Sequence, residues 1–423
     1  MKSIRLRALG LALVATALVA VAVVATAAAR TQATTLTVWN TMNDEETVTF
    51  KSVIAEFEKA NPDIKVSLVQ VPFDQRDQKF TTAVQAGQGP DIMRAEIADV
   101  ARWGSLGLLT DITSRVSAAD KRDFLPAAWA YYNYAGKIWG LPQAPDALTI
   151  FYNKAMFKEA GIKNTQMPKT LAQLQTLCAK FPAGEGIFLR ADAYWVQPWV
   201  WGYGGNLVVP ASKQILVGSS KSVAGMQAYK NLFSAKCAFA NKDFSNDYGN
   251  AQTAFKNGKV AMIVNGPWST ADILQGPSFK SSSNLGVMVI PKGPGGQGSP
   301  VGGNGFVIAK GAKDVTASYK LMQYLTSGPA QAAWAAKNNL LPSRASSYSL
   351  AAVKKNRLIT AFLPQMKVAT ARPVIPQGGQ IYSDWGPNVQ KILNGQVTAK
   401  VGMVGTAKAW KLKLFPDYTI VLR

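Results

Sequence analysis

Hydrophobic and polar positions along this chain alternate between two periods. Leu36–Trp39 (LTVW) is a short apolar run of buried-strand type, and Val53, Ile54, Phe57 and Ala60 then recur at helical spacing until Pro62-Asp63 ends the pattern. Ile64, Val66 and Leu68 alternate with Lys65 and Ser67, which predicts a second strand over Ile64–Val71. A strand, a helix and a strand of these lengths predict a right-handed parallel crossover. Phe80–Ala86 reads as the end of a helix, Gly87 and Gly89-Pro90 as a turn, and Ile92–Arg94 as the next strand. The same alternation returns around Ala147–Tyr152, Val260–Val264 and Phe306–Ala309, so the fold class is α/β.

Two stretches break the pattern. The first 29 residues place Lys2, Arg5 and Arg7 before an uncharged run, Ala8–Ala29, that closes on Ala27, Ala28 and Ala29. This is the layout of a cleavable export signal, with cleavage expected after Ala29. An uncleaved anchor is the alternative, because about 22 uncharged residues can span a bilayer. No cysteine lies near the cleavage point, so a lipid tether is not expected there. The second stretch is Pro291–Gly305 (PKGPGGQGSPVGGNG). It lacks both the Gly-Lys-Ser/Thr of a phosphate loop and a G-x-G-x-x-G set between strand and helix, and it reads as a connecting loop.

Composition then narrows the chemistry. The 423 residues allow two or three domains, and they contain no histidine and only two cysteines. Serine and cysteine nucleophiles that need an imidazole base, and histidine-ligated zinc, are therefore excluded. No cofactor and no metal are expected. Export makes a disulfide between Cys178 and Cys237 permissible, and the even count favours it over two separate buried thiols. The formal charge of +22 is scattered and forms no nucleic-acid-binding module, so no nucleic-acid partner is expected. It would suit attraction to an anionic membrane or wall surface.

Taken together, several segments resemble the extracellular solute-binding proteins of ABC sugar importers, specifically the maltose/trehalose/maltooligosaccharide-binding family. They are LTVWNTMNDEE (36–46), EFEKANPDIKV (56–66), TTAVQAGQGPDIM (81–93), GKIWGLPQAPDALTIFYNKAMFKEAGI (136–162), WGYGGNL (201–207), AFKNGKVAMIVNGPW (254–268), VGGNGFVIAK (301–310) and LPSR (341–344). Their order and spacing over about 350 residues make the set specific. The resemblance implies a periplasmic-binding-protein type II fold with two discontinuous α/β lobes, 34–143 plus 301–345 and 147–297 plus 350–423. It implies a likewise monomeric receptor that closes on a mono- or oligosaccharide and delivers it to membrane permease subunits.

Sugars ask for amides and carboxylates at their hydroxyl rims and flat rings against their C–H faces. Carried over by the resemblance, Asn43 and Asp44 are hydroxyl binders, though both also suit the cap of the first helix. Glu96, Asp146 and Asn304 are further polar contacts, with a turn role open for Asn304. Tyr194 with its neighbour Trp195, Trp268, and either Tyr382 or Trp385 supply rings. Two features depart from the family. Arg94-Ala95 stands where some maltose binders have tryptophan, and Lys400–Arg423 carries Gly402, Gly405 and Pro416, a composition from which no long terminal helix is expected. The alternatives are a secreted carbohydrate-active enzyme using Glu96 and Asp146 as a carboxylate pair, or a receptor for another solute such as glycerol 3-phosphate.

Overall fold

A computed structural model describes residues 33–423; the expected export signal, 1–29, lies outside the described residues. Nine strands, numbered in chain order, build two main sheets. They are β1 (Thr34–Asn40), β2 (Ile64–Gln70), β3 (Ile92–Glu96), β4 (Gly140–Ala147), β5 (Thr149–Asn153), β6 (Ile187–Phe188), β7 (Met262–Asn265), β8 (Leu285–Met288) and β9 (Val301–Ile308). The first sheet runs β2-β1-β3-β9-β4 and the second β8-β5-β7-β6. β1 and β2 are parallel from Thr34 opposite Ile64 to Asn40 opposite Gln70, so the crossover expected from the pattern is present.

Six helices matter here: α1 (Asp44–Ala60), α2 (Ile97–Ser105), α3 (Ala193–Gly202), α4 (Gly328–Asn338), α5 (Gln380–Leu393) and α6 (Ala399–Lys413). α1 begins where Asn43 and Glu46 exchange side-chain bonds with each other's backbone N–H, a reciprocal cap that fixes the chain entering the helix. Its apolar face, Phe50, Val53, Ile54 and Phe57, packs with Leu36 and Val38 of β1 and with Phe306 and Trp334. A separate core gathers Leu148 and Ile150, the α3 residues Val196 and Trp199, and Trp385, Met403 and Trp410 from the last two helices. Each sheet thus has its own packed interior, and the molecule is two-lobed. α4 touches both sides: Trp334 lies edge-on to Phe50, whereas Ala335 joins Phe151 and Phe362.

The chain crosses between sheets first at β4–β5, with Leu148 as the only residue between the two strands, and again between β8 and β9. The second crossing is the Gly/Pro-rich stretch, but its end differs from expectation. Val301–Gly305 is strand, not loop, because β9 is clasped between β3 and β4. Gly303 takes a φ of +132°, open to glycine at little cost. A Cβ on Gly302 would come within 2.1 Å of Asp146 Oδ1 and 2.6 Å of the Tyr194 hydroxyl, so the bare backbone is what lets these groups approach.

The terminal segment also departs from its composition. α6 spans 15 residues, capped by Thr398, whose hydroxyl accepts from Val401 N. Met403, Ala407 and Trp410 are buried, and Gly402 sits where a Cβ would strike Ile392 of α5. Packing overrides the propensity cost of glycine. Beyond it Thr419–Ile420 pairs in parallel with Gln214–Ile215. Cys178 and Cys237 are bonded to each other. No helix among the described residues is long and apolar enough to cross a membrane.

Candidate functional site

The C-terminal ends of β1 and β3 open toward the second lobe, the edge at which open α/β sheets bind ligands. Glu96 is the last residue of β3 and the cap of α2; its Oε2 accepts from Ala98 N at 2.9 Å. Its Oε1 takes the guanidinium of Arg372, and Arg76 stands 3.8 Å from Oε2. Both oxygens are therefore already engaged. In this structure the Glu96 carboxylate holds Arg372 and begins α2. Arg372 also donates Nε–H to Val301 O at 2.9 Å and its backbone N–H to the Tyr131 hydroxyl at 2.7 Å. Burial pulls the Arg372 pKa down, but Glu96 and the surrounding tyrosines outweigh it and hold the charge firmly. The sequence reading missed Arg372; its place in ARPVIPQ, just ahead of the segment that supplies Tyr382, was the available signal.

Asp146, near the end of β4, accepts no hydrogen bond from the described residues, and burial raises its carboxyl pKa to about 8. It is only half-buried and lies beside the Tyr194 hydroxyl above Gly302. Asn304 faces Glu96 on β3 and Ala144 on β4, with its Oδ1 buried and unpartnered among the described residues. Asn43 caps α1, and its Nδ2 donates across the lobes to Trp268 O at 3.0 Å. Asp44 is not brought in; it is exposed and accepts from Gln70 at 3.2 Å.

The second lobe supplies rings. Trp268, in a turn after β7, is half-buried and packs against the cores of both lobes. Its ring folds back over Gly266, where a Cβ would lie 1.9 Å from the indole. Trp195 stands edge-on to it at 6.4 Å, buried, with its N–H given to Val264 O at 2.7 Å and Arg190 stacked 3.8 Å from its centroid. It supports Trp268 from behind. Tyr194 and Tyr382 meet at 5.6 Å, and Tyr382 donates to Gln197 Oε1 at 2.5 Å. Arg372 lies over both rings, at 5.3 and 5.6 Å. Tyr248, missed in the sequence, stacks near the same Arg190 and is pushed up to about 12 by burial.

Between Tyr382 and Trp385 the structure decides. Trp385 is 0% exposed and donates to Met403 Sδ at 3.2 Å, so it is a core residue and is corrected as a ring for the sugar. The remaining arrangement sets amides and one free carboxylate on the first lobe against Tyr194, Trp268 and Tyr382 on the second. Amides and carboxylates suit the hydroxyl rim of a sugar, and flat rings suit its C–H faces. Among the described residues no cluster of histidine, cysteine or carboxylates could hold a metal ion.

Comparison with known proteins agrees with that chemistry. A family profile described as bacterial extracellular solute-binding protein matches residues 52–361. The chain is 27% identical to the maltooligosaccharide ABC transporter solute-binding lipoprotein of Streptococcus pneumoniae, over 83% of each chain. It is 26% identical to the maltodextrin-binding protein MdxE of Bacillus subtilis, covering 81% of this chain and 82% of that one. Among solved structures, the GacH receptor of Streptomyces glaucescens, determined unliganded and with acarbose, superposes with a TM-score of 0.87 at 35% identity, covering 92% of this chain and all of the other.

Proposed function

Because this chain belongs to the bacterial extracellular solute-binding proteins, we propose that it is the receptor of an ABC importer that captures an α-glucoside between its lobes. The ligand class is maltose, trehalose or a maltooligosaccharide, which the receptor delivers unchanged to membrane permease subunits. The observation that carries this reading is the division of labour across the crevice: Asp146, Asn43 and Asn304 suit hydroxyl rims, and Trp268, Tyr194 and Tyr382 suit the faces of sugar rings. The maltooligosaccharide and maltodextrin specificities named for the two relatives, and acarbose in the solved neighbour, support the same class.

The lobes are proposed to comprise 34–143 with 301–345 and 147–297 with 350–423, hinged at the crossings, and the receptor acts as an exported monomer. A glycosidase reading has less support, since Glu96 is committed to Arg372 and Ala98 and is not free to pair with Asp146 as acid and base. A phosphate-bearing solute such as glycerol 3-phosphate has less support, because Arg372 is already neutralised by Glu96.

The test is a thermal-shift and calorimetric screen of the mature protein against maltose, maltotriose, trehalose and glycerol 3-phosphate. A ligand that binds only the folded state must raise its apparent stability. A shift with an α-glucoside and none with the phosphate ester supports the reading, and a shift with glycerol 3-phosphate alone overturns it.

A further inference from the structure

Cations that look scattered along the chain are gathered by the fold. Residues 193–242 contain five lysines and no acid, and so do residues 385–416. The helices of these two stretches, α3, Ser220–Phe233, α5 and α6, pack against one another in the second lobe. α5 adds one acid, Asp384, just ahead of the second stretch, and Asp417, just after it, is neutralised by Lys213 at 2.8 Å. Like charges collected without acids between them repel, and an anionic partner relieves that cost.

α6 presents the most open part of this surface. Its inner side, Met403, Ala407 and Trp410, is buried in the lobe. Val401, Gly405, Lys408 and Leu412 share the opposite side by helical spacing, and all four are exposed. Val401 is 59% exposed and Leu412 80%, more than any other large apolar side chain among the described residues. Lys400, Lys408, Lys411 and Lys413 surround them, and the helix has no acid. The tail returns beside it: a Cβ on Gly218 would lie 3.2 Å from Leu422 Cδ2 and 3.3 Å from Val404 Cα. Leu422, itself 49% exposed, and the cation Arg423 therefore adjoin the same helix.

Lysines and bare apolar side chains together choose the partner. A polyanion in solution satisfies the lysines but gains nothing from exposed leucine and valine. A second copy of this chain would set lysine against lysine across a twofold axis. A bilayer containing anionic lipid meets both, because its headgroups take the lysines while its interface accepts Val401, Leu412 and Leu422.

We propose that α6 and the adjoining tail are a docking surface for an anionic phospholipid bilayer, which holds the second lobe at the membrane surface. This goes beyond sugar capture and does not depend on which ligand the crevice takes.

The test is sedimentation of the mature protein with vesicles of phosphatidylcholine, alone or mixed with phosphatidylglycerol, at low and at physiological salt. The wild type should bind the mixed vesicles only. The triple variant Lys400→Gln, Lys408→Gln, Lys413→Gln should lose about a hundredfold in partitioning at low salt, roughly fivefold for each lysine, and less at physiological salt. Lys411 is left in place because its Nζ donates to Pro416 O at 2.6 Å. The first-lobe triple Lys51→Gln, Lys59→Gln, Lys121→Gln changes the net charge equally and should cost less than about threefold. Leu412→Ser should lower binding several-fold at either salt, because apolar contact is not screened. All these side chains are exposed, so melting temperatures should stay within about two degrees of the wild type. If both triple variants lose equally, net charge alone acts, and if Leu412→Ser has no effect, any polyanion serves; either result overturns the inference. So does a dimer in light scattering that Leu412→Ser dissolves, since the face then belongs to a second copy. A wild type that ignores the mixed vesicles overturns it too, whatever sugar the crevice binds.

Discussion

The guanidinium of Arg372 is gripped by Glu96 of the first lobe while it lies over the rings of Tyr194 and Tyr382 from the second. One side chain thus joins the two halves of the crevice, and both charges are buried. Removing either partner strands the other in a poorly solvated place. Glu96→Gln or Arg372→Met should each cost about 3 kcal/mol of folding stability in denaturant titration. The double variant should lose less than the two single losses combined, and strictly additive losses would show that the two residues act separately.

Asp146 sets a pH dependence that can be isolated. The chain has no histidine, so few groups titrate between pH 5 and 8. Asp146, raised to about 8, and Asp99, raised to about 6, both by burial first, are among those that do. A carboxyl whose folded pKa is raised keeps a proton the unfolded chain has lost, so its contribution to stability falls as pH climbs from about 4 to about 8 and is level beyond. Asp146→Asn removes that fall. Its gain over the parent protein should be negligible at pH 4 and grow to several kcal/mol by pH 8, and parallel stability curves would refute the assignment.

Trp268→Ala should weaken maltotriose binding by about 1–3 kcal/mol, the range for losing a buried ring contact. Because the ring also touches both cores, Trp268→Phe serves as the control and should recover part of the affinity. A variant that unfolds in both cases would make Trp268 a packing residue alone.

The Cys178–Cys237 bond closes a span of 59 residues within the second lobe, which in the chain-entropy account stabilises by roughly 4 kcal/mol. Reduction should lower the melting temperature of the unliganded protein by several degrees. Both cysteines lie in the core and not among the crevice groups, so affinity measured well below the transition should stay within about twofold.

Six of the nine strands could be read from the chain because their residues alternate or run apolar, as in Leu36–Trp39 and Val260–Val264, whereas β4, with Pro142 and Pro145 inside it, and the short β6 and β8 could not. The rings were harder. Tyr382 and Trp385 are three residues apart on one helix, and periodicity alone does not say which meets the crevice and which meets Met403. Arg372 carried no motif of its own, since its role arises from Glu96, 276 residues away. The last helix was invisible because glycine lowers local propensity, whereas Gly402 is there to admit Ile392. The order of elements is a local property, and the partners of buried charges are not.

Leu148, alone between β4 and β5 and fully buried, has a mechanical consequence. A single residue gives almost no slack, and its neighbour Thr149 is pinned by donating to Met288 O at 2.5 Å. The β8–β9 connection is longer but is also held, with Gly295 N–H donating to Gly202 O and Thr370 N–H to Ser299 O. At the first crossing, therefore, any change in the angle between the two sheets has to be absorbed by the torsions of Leu148 and its immediate neighbours, where a longer connector would share it over many residues.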